Sequence, residues 1–200
     1  MNTSSRKYSI KQPQPFDPDC TRYYPIRTFP SYRHIPGVTP HPFNNPAGHS
    51  YGLQAETDAQ VPPPEAWREN SAYLYGIDLY NFSYWWEAGE VWEGLWRCTE
   101  GNYHLFLQGL IQISVALLKY HMRKLQGMQK LSKSGRDKLH QVVRNLKTPT
   151  GMYMGINLIT FLNCLDTFFA PFFSHTASQC RSYSQQIQKP LIQLHLQVHD

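Results

Sequence analysis

Charged residues are scarce in this chain of 200 residues, and the motifs of the common catalytic and nucleotide-binding sites are missing. Only 16% of the side chains are charged, whereas 41% are hydrophobic. The sequence has no Gly-x-Ser-x-Gly elbow, Walker loop, Rossmann glycine fingerprint or His-Glu-x-x-His pair. These absences exclude the function classes that depend on those motifs, so a function must come from a less common arrangement of side chains.

Cysteine is also scarce. The four cysteines stand alone, without a Cys-x-x-Cys pair, which argues against a disulfide framework or a cysteine zinc site. The N-terminus leads into polar residues and prolines instead of an apolar run, so no secretory signal is predicted. We therefore expect a cytoplasmic protein with no metal and no other cofactor.

Proline is concentrated in the first third of the chain. Twelve of the 15 prolines lie before residue 65, and no helix survives that density of helix breakers. The aromatic residues between them supply more apolar surface than a disordered linker has. We predict an extended arm, residues 1–63, packed on a helical bundle, residues 64–173, and a tail, residues 174–200, that forms a short half-buried strand or a docked extended end.

Helical periodicity begins at Pro64 and predicts an all-α fold, a compact bundle of about five helices. The predicted helices are 64–81, 84–98, 102–126, a basic helix that ends near Leu146 and is kinked or divided near Gly135, and 151–173. Asp166 lies inside the last, apolar segment and favours a buried helix over a membrane span. We therefore expect no membrane association, and we expect the tail strand to pair with the arm.

The second predicted helix carries tryptophan on one side and acids on the other. Its apolar arc holds Ala88, Val91, Leu95, Trp85, Trp92 and Trp96, and its polar arc holds Glu87, Glu90, Glu93 and Arg97. Trp86 is an exception, because it falls among the acids. We expect the tryptophan side to be sealed against the third helix and the acidic side to face outward.

Six polar residues form the candidate site: Asn81, Glu87, Glu90, Glu93, Gln108 and Gln112. The three glutamates, spaced i, i+3, i+6, could hold a hard cation or act as a general base beneath a covering helix. The alternative is a solvated face that pairs with Lys or Arg. The two glutamines emerge from an apolar helix, and since buried amides need partners, they indicate either a hydrogen-bond network or a ligand pocket.

The sequence around these residues resembles a known family. Glu87-Ala88-Gly89-Glu90, with Glu93 and Trp96, is followed by Phe106-Leu107-Gln108-Gly109-Leu110-Ile111-Gln112. This is similar to domain-of-unknown-function family 309, whose pattern is Glu-Ala-His-Glu-x-x-Glu-x-x-Trp and then Phe-x-Gln-Gly-Leu-Ile-Gln. The resemblance spans roughly residues 70–145 and implies a compact helical bundle without an established activity. The family places His where this chain has Gly89, so a metal pair with Glu93 is not expected here.

Three histidines lie close together in the arm. His34, His41 and His49 fall within sixteen residues, but their spacing matches no known zinc pattern and no fourth ligand is evident. We predict turns bounded by proline and fixed by imidazole hydrogen bonds, in an arm that covers a cleft of the bundle.

Charge is segregated along the chain. Residues 64–100 carry seven acidic and two basic side chains, and residues 101–150 carry one acidic and nine basic. The two segments could neutralise each other across a helix pair, or the basic face, residues 119–147, could bind nucleic acid. No helix-turn-helix pattern or phosphate loop makes that second interpretation specific.

These observations favour a non-catalytic helical module for protein interaction or small-ligand binding. The aromatic arm and the five tryptophans favour a homo-oligomer or a protein partner, although the sequence names none. Two alternatives stay open. One is a hydrolase that uses Glu90 and Glu93 in a cleft lined by glutamine, and the other is nucleic-acid binding through the basic face.

Overall fold

Helices account for the body of the chain in the computed structural model, which describes residues 11–53, 61–146, 149–174 and 188–196. A 3₁₀ helix, Pro64–Glu69, precedes α1 (Ser71–Asn81), α2 (Trp85–Trp96), α3 (Gly101–His121), α4 (Leu125–Leu146), α5 (Leu158–Phe169) and α6 (Pro171–Ser174). A short antiparallel hairpin, β1 (Met152–Tyr153) and β2 (Ile156–Asn157), separates α4 from α5. The all-α prediction is confirmed. In the part of the chain described, no helix has the length and apolar character needed to cross a membrane.

Local capping decides where two of the helices begin. The side chain of Asn70 accepts the main-chain N–H three residues on at 2.9 Å, so the predicted helix 64–81 is instead a 3₁₀ helix followed by α1. Asn157 caps α5 in the same way, at 3.0 Å. This later start of the fifth helix leaves the chain between α4 and α5 free to form the hairpin.

The central helix is α3, which packs against α2 on one side and α4 on the other. Gly109 of α3 and Gly135 of α4 meet at the second contact, where a Cβ on Gly135 would lie 3.0 Å from the Gly109 carbonyl oxygen. Side chains at these positions would push the two helices apart. Gly135 therefore serves close packing, and α4 is continuous instead of divided there.

The tryptophan side of α2 is sealed, as predicted. Trp85 and Trp92 are 3% and 0% exposed. The indole of Trp92 packs on α1 and not on α3: Trp92 Nε1 donates to the Tyr73 carbonyl at 3.4 Å, beside Gly76 of α1. Trp85 faces α3, where the Ser114 hydroxyl donates to its carbonyl at 2.7 Å.

The arm is tied to α1 by a buried carboxylate. Asp78 is fully buried and accepts the main-chain N–H groups of Tyr23 at 2.7 Å and Tyr24 at 2.9 Å. Arg22 Nε adds an ion pair to the same carboxylate at 3.3 Å. An extended segment cannot pair its own N–H groups internally, so a helix side chain supplies the acceptors.

In residues 188–196 the tail is a docked extended end, one of the two predicted forms, but its main-chain pairing is with the hairpin and not with the arm. Leu194 forms a bridge with Ile156 of β2, and the His195 N–H donates to the Gly155 carbonyl at 2.8 Å. The arm contributes a side chain, since the Tyr23 hydroxyl accepts the Leu194 N–H at 3.0 Å. The hairpin was not predicted, and it provides the open strand edge. Residues 175–187 and 197–200 of the predicted tail lie outside the described residues.

Candidate functional site

Glu87 is buried beneath the arm, so the predicted solvated face is wrong at this position. Its side chain is 6% exposed. Oε1 accepts the main-chain N–H of His34 at 2.7 Å and lies 3.2 Å from His49 Nε2. Oε2 is buried without a hydrogen-bond partner in the described part of the molecule. A helical wheel cannot foresee this, because the covering segment comes from residues more than thirty positions away.

The arm histidines pack around Trp86. Its ring lies 4.8 Å from that of His34 and 5.5 Å from that of His41. Burial lowers the pKa of His34, and nearby Glu87 opposes this shift. The ring of His41 fixes a turn, as predicted, because its Nδ1 accepts the N–H groups of Phe43 and Asn44, both at 3.3 Å.

No metal centre is formed by these groups. Within the described residues, no set of three His, Cys, Asp or Glu side chains is arranged to hold a metal ion. The ring of His34 instead packs against the rings of His41 and Trp86, and the main-chain N–H of His34 donates to Glu87. What the arrangement does physically is hold the arm over Trp86.

Asn81 binds the tail. Its Nδ2 donates to the Ile192 carbonyl at 2.9 Å, and its Oδ1 accepts the Ile192 N–H at 2.9 Å. The Asn81 amide thus supplies one donor and one acceptor to the main chain of Ile192, as a residue of a neighbouring strand would. Both hydrogen-bonding atoms of the Asn81 amide are therefore used in holding residues 188–196 on α1.

Glu90 and Glu93 remain at the surface of α2. Glu90 is exposed, yet partial desolvation by neighbouring protein atoms, and secondly the carboxylate of Glu93, raises its pKa. Glu93 lies 3.5 Å from Arg97 Nη2, one turn further along the helix. This is the pairing that the solvated-face interpretation predicted, and Glu90 and Glu93 are the two groups that the hydrolase alternative would use.

Gln108 and Gln112 do not form the predicted network with α2. Both are half-buried on α3, and among the described residues neither forms a hydrogen bond with Asn81, Glu90 or Glu93. Gln112 Oε1 is buried without a partner there. The contacts of three of the six predicted residues thus differ: Asn81 binds the tail, Glu87 binds the arm and Glu93 pairs with Arg97 on α2.

The acidic segment, residues 64–100, and the basic segment, residues 101–150, were predicted to neutralise each other. Three of their charged side chains instead contact other parts of the chain. The acidic segment finds partners in the arm: Arg22 forms an ion pair with Asp78, and the imidazole of His49 contacts Glu87. In the basic segment, Arg136 Nη1 pairs with Asp166 of α5 at 2.5 Å. Four side chains of the basic face are exposed and remain candidates for the nucleic-acid hypothesis: Lys124, Lys130, Lys133 and Arg144.

The comparisons with known proteins bear on α1 to α4. The model of a family described as Domain of unknown function (DUF309) matches residues 73–131. This segment is similar to the DUF309 family. The match confirms the resemblance carried by the two motifs on α2 and α3, and it attaches no activity to them. No curated protein and no solved structure matches the chain.

A groove lies at the end of the bundle where α3 begins and α4 ends. It consists of two adjoining cavities of about 610 Å³ and about 450 Å³, together called here the end groove. Four residues line both: Pro64, Glu65, Leu146 and Tyr153. None of the six predicted site residues lines either cavity. The DUF309 segment supplies the turn before α3 and the first residues of α3, and the rest of the lining comes from outside that segment.

Two tyrosines supply polar groups to the end groove. Tyr103 is 6% exposed, its hydroxyl accepts Asn70 Nδ2 at 2.9 Å, and burial raises its pKa to about 12. Tyr153 packs edge-on against Phe106 with 5.1 Å between ring centroids. Burial raises its pKa, with Tyr103 and Glu65 adding to the shift. The surroundings of Tyr103 and Tyr153 therefore favour the neutral, protonated form of both phenols.

Sequence reasoning missed the end groove because its walls come from five separate parts of the chain. Pro62-Pro63-Pro64 was the available signal. This run leads into the helix predicted from Pro64, and in the structure it also lines a cavity. The exposed Glu65 next to it carries no feature in the sequence that would identify a site.

Proposed function

We propose that the chain is a non-catalytic binding module and that the end groove is its ligand site. The carrying observation is the pair of adjoining cavities, about 610 Å³ and about 450 Å³, with shared walls. Pockets for small ligands usually occupy roughly 300 to 1,000 Å³. Each cavity alone is in that range, so the groove has room for a small molecule or for a side chain of a partner.

The walls of the groove favour binding with little rearrangement. Consecutive prolines form one side, and their backbone angles are restricted. On another side, Asn145 Nδ2 donates to Asn102 Oδ1 at 2.7 Å and joins the end of α4 to the start of α3. A preformed site loses less conformational entropy when a ligand binds than a flexible one does.

The lining also supports binding over catalysis. Cys98 is exposed and lines the first cavity, but none of the other lining residues of that cavity carries an imidazole or an amine. A thiol without such a neighbour lacks the base that activates catalytic cysteines. The groove instead offers hydroxyl groups with unused capacity, because the Tyr103 hydroxyl proton has no acceptor among the described residues.

The test is a screen of small molecules by NMR on the full chain, with a variant that fills the groove. Cys98→Trp places a bulky ring at an exposed lining position, and Ile26→Trp, at a position 83% exposed that does not line either cavity, is the matched control. We expect compounds whose binding disappears in Cys98→Trp and persists in Ile26→Trp. A screen without any binder, or binders that Cys98→Trp does not affect, would overturn the proposal.

A further inference from the structure

We infer that the end groove takes an organic cation with an apolar chain, such as an alkylammonium group, with Glu65 and Glu100 as its charge partners. This inference rests on the proposed function and names the ligand class of the same groove. It is carried by the distribution of charge, aromatic rings and apolar side chains along the two cavities.

The first cavity is lined by carboxylates and by no cation. Glu65 and Glu100 are both exposed there, and no Lys, Arg or His is among its lining residues. Neither glutamate has an ion-pair partner in the described part of the chain. A ligand that brings a positive charge into this cavity gains two attractive interactions, whereas a carboxylate or phosphate would meet repulsion from both sides.

Tyrosine rings complete the cation-binding end. Tyr103 and Tyr153 line the first cavity, and the face of a phenol ring attracts an ammonium or guanidinium group. Glu65 is near enough to Tyr153 to contribute to the raised pKa of that phenol. The carboxylate and the ring therefore act on the same region of the groove.

The second cavity suits the apolar part of such a ligand. Its walls include Trp67, Leu146, Met152 and Met154. The imidazole of His195 and the guanidinium of Arg68 also line it. Arg68 is already engaged, since its guanidinium carbon lies 4.4 Å from the Trp67 ring centroid and Nη2 donates to the Leu196 carbonyl at 3.4 Å. The two cavities share Glu65, so a charged head in the first cavity leaves its chain pointing along a continuous wall into the second.

The experiment compares three probes of one length by calorimetry with the full chain at low salt. Hexylammonium carries the positive charge, 1-hexanol is its neutral analogue, and hexanoate is its negative one. We expect hexylammonium to bind most tightly. Because single exposed ion pairs contribute modestly, Glu65→Gln and Glu100→Gln should each weaken its binding about threefold, and the double variant about tenfold.

The control is Glu69→Gln, an exposed glutamate on the same 3₁₀ helix that does not line either cavity. It should leave the dissociation constant unchanged. Equal binding of 1-hexanol and hexylammonium, or the same loss in Glu69→Gln, contradicts the inference. Binding of the neutral probe as tight as that of hexylammonium, and abolished by Cys98→Trp, would sink the cation inference and keep the proposed function. No binding of any compound in either experiment would overturn both.

Two sources of the ammonium group are separated by a further arm of the same experiment. Nα-acetyl-lysine amide presents the ammonium group on a lysine side chain, as a polypeptide would. Hexylammonium presents the same group on a free small amine. Tighter binding of the lysine derivative assigns the groove to a protein partner. Tighter binding of hexylammonium assigns it to a small amine, and either outcome supports the ligand class if the glutamate variants weaken it.

Discussion

The main-chain N–H of His34 donates to Oε1 of Glu87 across 2.7 Å, and this contact joins the arm to α2 at a buried position. Glu87→Ala removes the acceptor and leaves the N–H buried without a partner. We expect the free energy of unfolding in urea to fall by about 1 to 3 kcal/mol.

Glu93→Ala is the matched control for that variant, since it removes a carboxylate from the same helix. Glu93 and its partner Arg97 are 41% and 65% exposed, so their pair should contribute less than about 1 kcal/mol. Equal losses in the two variants would show that the contact with His34 does not stabilise the fold.

Asp78 provides the second point where the arm is tied down. Asp78→Ala leaves the N–H groups of Tyr23 and Tyr24 without their acceptor, at a cost of about 1 to 3 kcal/mol each. We expect a lower urea midpoint and faster cleavage of the arm by a protease at low enzyme concentration.

Asp166→Ala serves as the comparison for Asp78. Asp166 pairs with Arg136 but is 48% exposed, so its loss should cost less than about 1 kcal/mol and should leave cleavage of the arm unchanged. Protection of the arm in Asp78→Ala equal to that of the wild type would contradict the role assigned to the buried carboxylate.

Alanine substitutions at the glycines of α1 and α2 should change the stability of the fold in opposite directions. A Cβ on Gly76 would overlap the Trp92 indole, so Gly76→Ala should destabilise the fold by about 1 to 3 kcal/mol. Around Gly89 and Gly94 a Cβ meets nothing within 4 Å, and alanine there should stabilise the helix by about 0.5 to 1 kcal/mol. Thermal unfolding followed by circular dichroism checks the signs, and a stabilised Gly76→Ala would be inconsistent with the packing.

Acid should loosen the arm through His34. Burial, and secondly the neighbouring His41 and His49, lower the pKa of His34 in the folded state, while Glu87 acts in the opposite direction. The unfolded chain therefore takes up the proton first, so this stability is complete above the ordinary pKa of 6.5 and is lost as the pH falls below it.

Urea midpoints measured between about pH 7 and about pH 5 test this behaviour. His34→Gln should flatten the decline, and His140→Gln, on α4, should leave it as in the wild type. Asp78 and Glu90 have raised pKa values in the folded state. A carboxyl of this kind adds stability as the pH falls, so neither group accounts for the decline. A decline of the same steepness in His34→Gln would assign the loss of stability to another group.

The helical fold could be predicted because its signal is local. Apolar residues recur at helical spacing from Pro64 onward, and α3 is apolar nearly all round, so the central helix and the sealed sides of Trp85 and Trp92 follow from periodicity. The hairpin between α4 and α5 could not be predicted, because Met152 and Tyr153 fit the apolar pattern of a helix as well as that of a strand.

The candidate site was less predictable than the fold. Glu87, Glu90 and Glu93 have the same chemistry and lie on one arc of a wheel, yet the arm buries the first and leaves the second exposed. Asn81 has no sequence feature that distinguishes a ligand contact from its pairing with Ile192. Sequence spacing identifies neighbours on one helix but not the segment that returns to cover them.

By itself, the sequence determined the helical character of the bundle and the two motifs that resemble DUF309, because periodicity and motif spacing act within a few turns of chain. The tertiary structure alone decided which carboxylates are buried and where a groove opens. Those outcomes depend on contacts between residues such as His34 and Glu87, or Pro64 and Tyr153, that lie far apart in the chain. The main-chain N–H groups of the extended arm must find acceptors wherever the folded helices present them.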